Sequence, residues 1–225
     1  MFLGSDGARI RTIHDISQPL DSGTAVWPGD RSVEMSWTMQ RERGDSVNVA
    51  ALCMTVHAGT HLDGPLHFED GGATPADVPL ERLIGRALVI DARGRATLDA
   101  GGHAMLGADL IDGVDLRREE RVLLRCFEQV VAGEFPQAFP ALAPALARKL
   151  ADNGVKLVAT ESPSVDPVDS KTLEAHRILA RGDVAIVENV VLSNVPAGRY
   201  TLVVLPLRLT AADSSPVRAV LLELE

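Results

Sequence analysis

A chain of 225 residues, 46% hydrophobic and 24% charged, is long enough for one domain with a sizeable core and is not composed like a disordered protein. Its 31 acidic against 22 basic residues give a net charge of −9 with no offsetting run of lysine and arginine, which argues against nucleic acid or an anionic membrane as a partner. The two cysteines, Cys53 and Cys126, each lie in an apolar strand-like run and read as buried free thiols of a reducing compartment, so a cytoplasmic location is expected.

Residues 1–12 are expected to be a poorly ordered extension, since they include Asp6, Arg9 and Arg11 and lack an apolar core long enough for a signal peptide or membrane span. Residues 13–225 then form the domain. His14, in an alternating segment, is expected to face outward from a strand. An apolar strand at 49–56 runs up to His57. Short runs rich in Val, Ile and Leu at 86–90, 121–126, 155–160, 184–192 and 200–207 predict buried strands. His103, after Gly101 and Gly102, belongs to a loop. Helices are predicted at 107–111, at 141–153 and at 170–181. In the second, Leu142, Leu146, Ala147 and Leu150 recur at helical spacing before Asn153 and Gly154 stop it; the third takes Ser170 or Asp169 as its N-cap. Strands outnumber helices without regular alternation, which gives a single mixed α/β domain rather than a doubly wound one.

Between His57 and His67 the chain reads His-Ala-Gly-Thr-His-Leu-Asp-Gly-Pro-Leu-His, placing three of its six histidines and an aspartate in one window. Gly59, Thr60, Gly64 and Pro65 oppose a helix, so the window is a strand end running into a turn. Neutral imidazoles and carboxylates are the ligands of zinc and its neighbours, and a catalytic site uses three protein ligands with one position open. His57, His61 and Asp63 supply such a set. His67, beyond Pro65, is better suited to moving a proton near neutral pH. Ala58 stands where the helical zinc-protease motif requires its glutamate, which removes that class. Further along, Glu188 directly follows the apolar run 184–187 and needs a partner in the core, either a cation or an arginine such as Arg208 or Arg218.

This window resembles the signature of the cyclase-like metal-dependent hydrolase family. Four more segments sharpen the resemblance to its bacterial kynurenine formamidase (arylformamidase) branch. They are Asp15-Ile-Ser-Gln-Pro-Leu20, Val26-Trp-Pro-Gly-Asp30, Ser162-Pro-Ser-Val-Asp-Pro167 with Ser170-Lys171 ahead of Ala175-His176, and Asp213-Ser-Ser-Pro-Val-Arg-Ala-Val220. The resemblance implies a mixed α/β domain with a barrel-like, largely β core and a few flanking helices, assembled as a homodimer. It further implies two zinc ions per subunit, manganese or another divalent metal being accepted by the same ligands. His57, His61 and Asp63 would hold the first, Asp63 would bridge, and His176 with Glu188 would complete the second. The family's catalytic histidine maps to His67. The implied reaction is hydrolysis of N-formyl-L-kynurenine to L-kynurenine and formate in tryptophan degradation, with His67 protonating the departing aniline nitrogen. Trp27 is a candidate wall for the aromatic ring and equally a candidate core residue at a turn. Arg218 and Ser170 are candidates for the substrate carboxylate. Three departures from the branch's pattern stand out, Glu161 in place of aspartate, Arg177 in place of a histidine, and the long N-terminal extension. An isatin hydrolase of the same family is the rival enzyme, and a catalytically silent metal-binding protein the rival outside enzymes.

Overall fold

A computed structural model describes residues 2–3, 8–130 and 133–225. Fourteen strands appear in chain order: β1 (Phe2–Leu3), β2 (Ala8–Asp15), β3 (Glu34–Met39), β4 (Val49–Cys53), β5 (His61–Asp63), β6 (Ile84–Asp91), β7 (Thr97–Leu98), β8 (Ala104–Leu106), β9 (Arg121–Arg125), β10 (Ala141–Leu142), β11 (Leu157–Thr160), β12 (Ala185–Glu188), β13 (Gly198–Pro206) and β14 (Ser214–Leu224). The helices are α1 (Leu80–Leu83), α2 (Pro144–Asp152) and α3 (Glu174–Arg181). This is the mixed α/β domain expected, with the strands dominant.

Seven strands close into a barrel, in the order β14, β13, β6, β9, β11, β12, β5 and back to β14. The middle strands β6, β9, β11 and β12 run parallel, and the rest pair antiparallel. Parallel strands are covered on both faces and so read as continuous apolar runs. Alternate residues of β9, β11 and β12 accordingly enter two different cores. Leu123, Leu157, Ala159, Ala185 and Val187 join Leu62, Leu202 and Leu221 inside the barrel. Val122, Leu124, Val158 and Ile186 point outward, where Leu146, Leu150, Ala175 and Leu179 of α2 and α3 cover them.

The long strand β14 shares one edge between two partners. Ser214 to Pro216 pair with β5 and close the barrel, while Val220 to Leu224 pair with β2. The predicted extension is therefore ordered where it is described, because residues 8–12 belong to β2 and find partners on β14. Residues 1 and 4–7 of that prediction lie outside the described residues.

Other boundaries moved for identifiable reasons. The helix predicted at 141–153 begins only at Pro144, because Ala141 and Leu142 pair with Met105 and Leu106 as a short parallel strand. Pro144 suits a first helical position, where its missing N–H costs nothing. The helix predicted at 107–111 is a single 3-10 turn, Ala108–Ile111. The run 49–56 is a strand only to Cys53 and is not buried; it pairs with β3 in an exposed hairpin, and Cys53 is exposed with it. Cys126 is buried, and both thiols are free. His14 is part-buried and hydrogen-bonds Glu223 at 2.8 Å. No helix among the described residues is long and apolar enough to cross a membrane.

Candidate metal centre

His57 lies in a turn beyond β4 rather than at its end, and the chain then re-enters the barrel as β5. Gly59 makes this re-entry: its backbone is left-handed (φ 62°), and a Cβ there would stand 2.8 Å from Leu20 Cδ2. The Gly59 carbonyl consequently accepts the Nδ1 hydrogen of His61 at 2.9 Å. In β5, Leu62 points into the barrel, so the strand's period of two sends His61 and Asp63 out of the opposite face. Glu188 in β12 stands beside His61 in the register, and its neighbour Val187 also points inward. All three side chains thus emerge toward α3, which carries His176.

Helix α3 begins four residues later than predicted because neither Ser170 nor Asp169 caps it. Ser170 Oγ instead accepts the Leu173 N–H at 3.1 Å, and Leu173 itself adopts a left-handed backbone. Asp166 supplies the cap. Its two oxygens accept the N–H groups of Ala175 and His176, both at 3.0 Å, and one of them also takes His176 Nδ1–H at 2.7 Å. One buried carboxylate therefore starts the helix and aims the imidazole.

The result is a cluster in which His61, His176 and Glu188 are each held from one side by a hydrogen bond, to the Gly59 carbonyl, to Asp166 and from the Val165 N–H. His61 Nε2, His176 Nε2 and both oxygens of Asp63 are buried with no hydrogen-bond partner. Such orphans carry a desolvation cost unless something binds them. Their separations identify what fits. Asp63 Oδ1 stands 3.3 Å from His57 Nδ1 and 3.5 Å from His61 Nε2, while Asp63 Oδ2 stands 3.5 Å from His176 Nε2. Glu188 reaches His61 Nε2 and His176 Nε2, both at 3.4 Å. Ligand atoms about 2.1 Å from one cation at tetrahedral angles lie roughly 3.4 Å apart. The nitrogen and oxygen donors here fit divalent metal on these grounds, in two groups that share Asp63, His57-His61-Asp63 and Asp63-His176-Glu188, with a third and more exposed group, His57-His67-Asp213, beside them.

Electrostatics agree. Burial pulls the His57 imidazole down, but the hydrogen bonds and charges of Asp63 and Asp213 outweigh it and push the group up to about 9. His176 is held well above its ordinary value, Asp166, Asp63 and Glu188 overcoming its burial. Burial raises the Asp63 and Glu188 carboxyls, yet the surrounding imidazoles bring both below the ordinary range. In the metal-free protein His57 thus carries a proton that a cation must displace. Affinity for a divalent metal is expected to rise with pH up to about 9 as His57 gives up its proton, the raised His176 extending the rise rather than ending it. The stability His57 contributes to the metal-free protein has the opposite sense, complete below pH 6.5 and lost as pH rises through about 9. Chelator competition across this range checks the first statement, and an affinity that is flat or falls with pH contradicts it.

Above the cluster opens a cavity of about 640 Å³ whose lining includes His57, His61, His67, His176 and Glu188. Trp27 forms part of its wall and packs edge-on against Phe135 and Phe139, with ring centroids 5.1 and 6.4 Å away. His67 is part-exposed at the cavity, its ring centroid 4.3 Å from that of His57. The six histidine, aspartate and glutamate side chains predicted for the site are all brought together, and Trp27 faces the same space. Two residues that sequence reasoning suggested for the substrate carboxylate are elsewhere. Arg218 is paired with Asp15, Ser170 serves the loop before α3, and neither lines the cavity. Glu161 does line it, and it accepts the backbone N–H groups of Cys126, Phe127 and Leu192 at 2.8, 2.9 and 2.6 Å. Its carboxylate ties the end of β9 to the segment after β12. Arg177 is exposed on α3. Two site residues were missed, Asp166 and Asp213. Both stand in segments that carry the family resemblance, but neither was given a role; Asp166 had a further signal in its place ahead of the helix, whereas nothing near Asp213 in sequence points to its histidine partners.

A barrel whose outer face gathers imidazoles and carboxylates around one centre defines a metal-dependent hydrolase of the cyclase family, and the chain belongs to that family: the Cyclase family model matches residues 14–167. The barrel superposes on a potential metal-dependent hydrolase with cyclase activity at a TM-score of 0.78 and 28% identity, over 95% of this chain and 98% of that one. An isatin hydrolase bound to the product analogue thioisatinate matches at 0.77 and 22% identity, over 95% and 92%, a likeness of fold alone. Within the family the chain falls in the kynurenine formamidase branch. It is 44% identical to the kynurenine formamidase of Paracidovorax citrulli over 94% of this chain and 96% of that one, and 43% identical to that of Bacillus cereus over 92% and 95%.

Proposed function

We propose that the protein hydrolyses N-formyl-L-kynurenine to L-kynurenine and formate, using two divalent metals, zinc by preference, between β5, β12 and α3. The observation that carries this is the set of buried, unpartnered donors beneath an aromatic-walled cavity, in a chain 44% identical to a kynurenine formamidase. His57, His61 and Asp63 would hold one ion and His176 with Glu188 the other, Asp63 offering one oxygen to each. When bound, such metals supply Lewis-acid charge and a water of lowered pKa. The chain's own groups do the rest. Trp27 and Phe135 give the anilide ring an apolar wall, which fixes the formyl group over the donor cluster and excludes solvent. His67 Nε2 is the nitrogen left free toward the cavity, because Nδ1 is engaged by Asp213. It takes the proton that the attacking water gives up and passes it to the departing aniline nitrogen.

His67→Ala is expected to lower kcat by about 10²- to 10⁴-fold while the variant keeps its full metal content. Stopped-flow absorbance with N-formyl-L-kynurenine and metal analysis of the same preparation test both halves. A variant that loses metal, or keeps its rate, refutes the assignment of His67.

We also propose a homodimer joined through the β3–β4 hairpin, acting in the cytoplasm. Met35, Trp37 and Leu52 are 54, 55 and 52% exposed, Met35 sits opposite Leu52 in the ladder, and no residue of either strand is buried. An apolar ladder with neither face covered suits a second copy of itself. The free thiols support a reducing location. Light scattering on the eluting protein is expected to give twice the chain mass, falling to one in Trp37→Asp/Leu52→Asp. A wild-type monomer would end the proposal.

A further inference from the structure

Asp213, at the entrance to β14, faces two histidines at once. Its Oδ2 lies 2.9 Å from His57 Nε2 and 3.1 Å from His67 Nδ1. We infer that Asp213 is the positioning residue of the reaction, fixing through one carboxylate oxygen both the ligand tautomer of His57 and the tautomer and direction of His67.

The argument follows from the proton count on each ring. His57 turns Nδ1 toward Asp63 Oδ1 at 3.3 Å, so Nδ1 can act as a ligand only when the proton sits on Nε2. The Asp213 oxygen is what that proton is donated to. For His67 the same oxygen accepts from Nδ1, which leaves Nε2 without its hydrogen in the neutral ring and ready to take or give one. Two lone pairs on one oxygen suffice for both bonds. A third group that orients the base is the usual partner of a proton-transferring histidine, and a carboxylate behind a ligand histidine is the usual partner of a metal. Here a single side chain occupies both posts.

Its place is set by barrel closure. The Asp213 carbonyl accepts the Gly64 N–H at 2.8 Å, and the next residue, Ser214, donates from Oγ to the Leu62 carbonyl at 2.9 Å while standing opposite Asp63 in the ladder. The ligand strand and the positioning residue are thus registered on each other by backbone bonds. Asp213 remains part-exposed, so replacing it with an isosteric amide leaves the core untouched.

The inference rests on the proposed formamidase activity for its kinetic half and on metal binding alone for the other. Four proteins decide it: wild type, Asp213→Asn, His67→Ala and the double variant. Metal stoichiometry and affinity are read by competition with a chromogenic chelator, and kcat and KM with N-formyl-L-kynurenine. Asp213→Asn is expected to keep the wild-type number of metals, to bind them about 10- to 100-fold more weakly, and at saturating metal to lose roughly 10²-fold in kcat with KM changed less than about threefold. The double variant is expected to turn over within about threefold of His67→Ala, since positioning a histidine that is absent has no further effect on rate. Loss of one metal equivalent in Asp213→Asn would make the residue a ligand and overturn the inference. So would unchanged affinity, or losses in kcat that multiply in the double variant. If the wild type itself fails to turn over this substrate, the formamidase proposal falls, and the affinity arm still decides whether Asp213 supports His57.

Discussion

Asp63→Ala is expected to abolish metal binding at both groups and, with it, all measurable hydrolysis. Asp63 is the carboxylate shared by the groups His57-His61-Asp63 and Asp63-His176-Glu188, one oxygen directed at His57 and His61 and the other at His176. Neither oxygen has any other partner, so no other function of the side chain competes with this one. Removing a group that merely supports a ligand costs about 10- to 100-fold in metal affinity; removing the shared ligand should cost more, roughly 10³-fold or beyond by the same scale. A cation that binds only the folded chain raises its melting temperature. Added zinc is therefore expected to raise that of the wild type and to leave that of Asp63→Ala unchanged. A variant that still binds two metals with wild-type affinity would remove Asp63 from the centre.

Asp166→Ala is expected to produce the largest loss of stability among the site's supporting residues. The carboxylate is 3% exposed and accepts three hydrogen bonds, from the N–H groups of Ala175 and His176 and from His176 Nδ1. Deletion removes a helix cap worth about 1 kcal/mol and leaves two backbone donors and an imidazole unsatisfied in a buried place, at about 1–3 kcal/mol each when no water enters. A net loss of about 3 kcal/mol follows once some solvent is admitted. Burial raises the Asp166 carboxyl, but His176 and the two backbone donors bring it below its ordinary value, so its contribution is present near neutrality and fades as pH falls through that lowered value. Urea unfolding of the metal-free proteins measures the difference, and a loss below about 1 kcal/mol would reduce Asp166 to an ordinary cap. Metal affinity should fall as well, because His176 loses the group that aims it.

Much of this was legible in the chain, for reasons that separate one part from another. His57, His61 and Asp63 declared themselves because the three candidate ligands lie within one strand and the turn before it, so their chemistry is clustered in sequence as in space. The barrel strands β9, β11 and β12 were legible because both of their faces are buried, as Leu123 and Leu124 illustrate by entering opposite cores. The same apolar signal misled at 49–56. Hydrophobicity says that a strand will be covered, not by what, and β4 is covered by nothing among the described residues. The start of α3 was missed because Asp166, across a loop, caps it in place of the nearer Ser170. Asp213 stood in a segment that carries the family resemblance, but its role could not be seen. Its partner His67 is 146 positions away, and only closure of the barrel between β5 and β14 brings them together. His176 and Glu188 stood between these extremes, since Glu188 signalled a buried charge in need of a partner while its partner was supplied by family resemblance.

The most direct test of the central claim is the kcat/KM for N-formyl-L-kynurenine of the same preparation as metal-loaded, chelated and reloaded protein, with isatin run in parallel. The account predicts a value within the usual enzymatic range of about 10⁴–10⁸ M⁻¹s⁻¹, lost on chelation, restored by zinc, and at least roughly 10²-fold above that for isatin, the scale of one well-made substrate contact. Turnover that survives complete removal of metal would contradict the role given to the buried donors, and a preference for isatin would transfer the same centre to a cyclic amide.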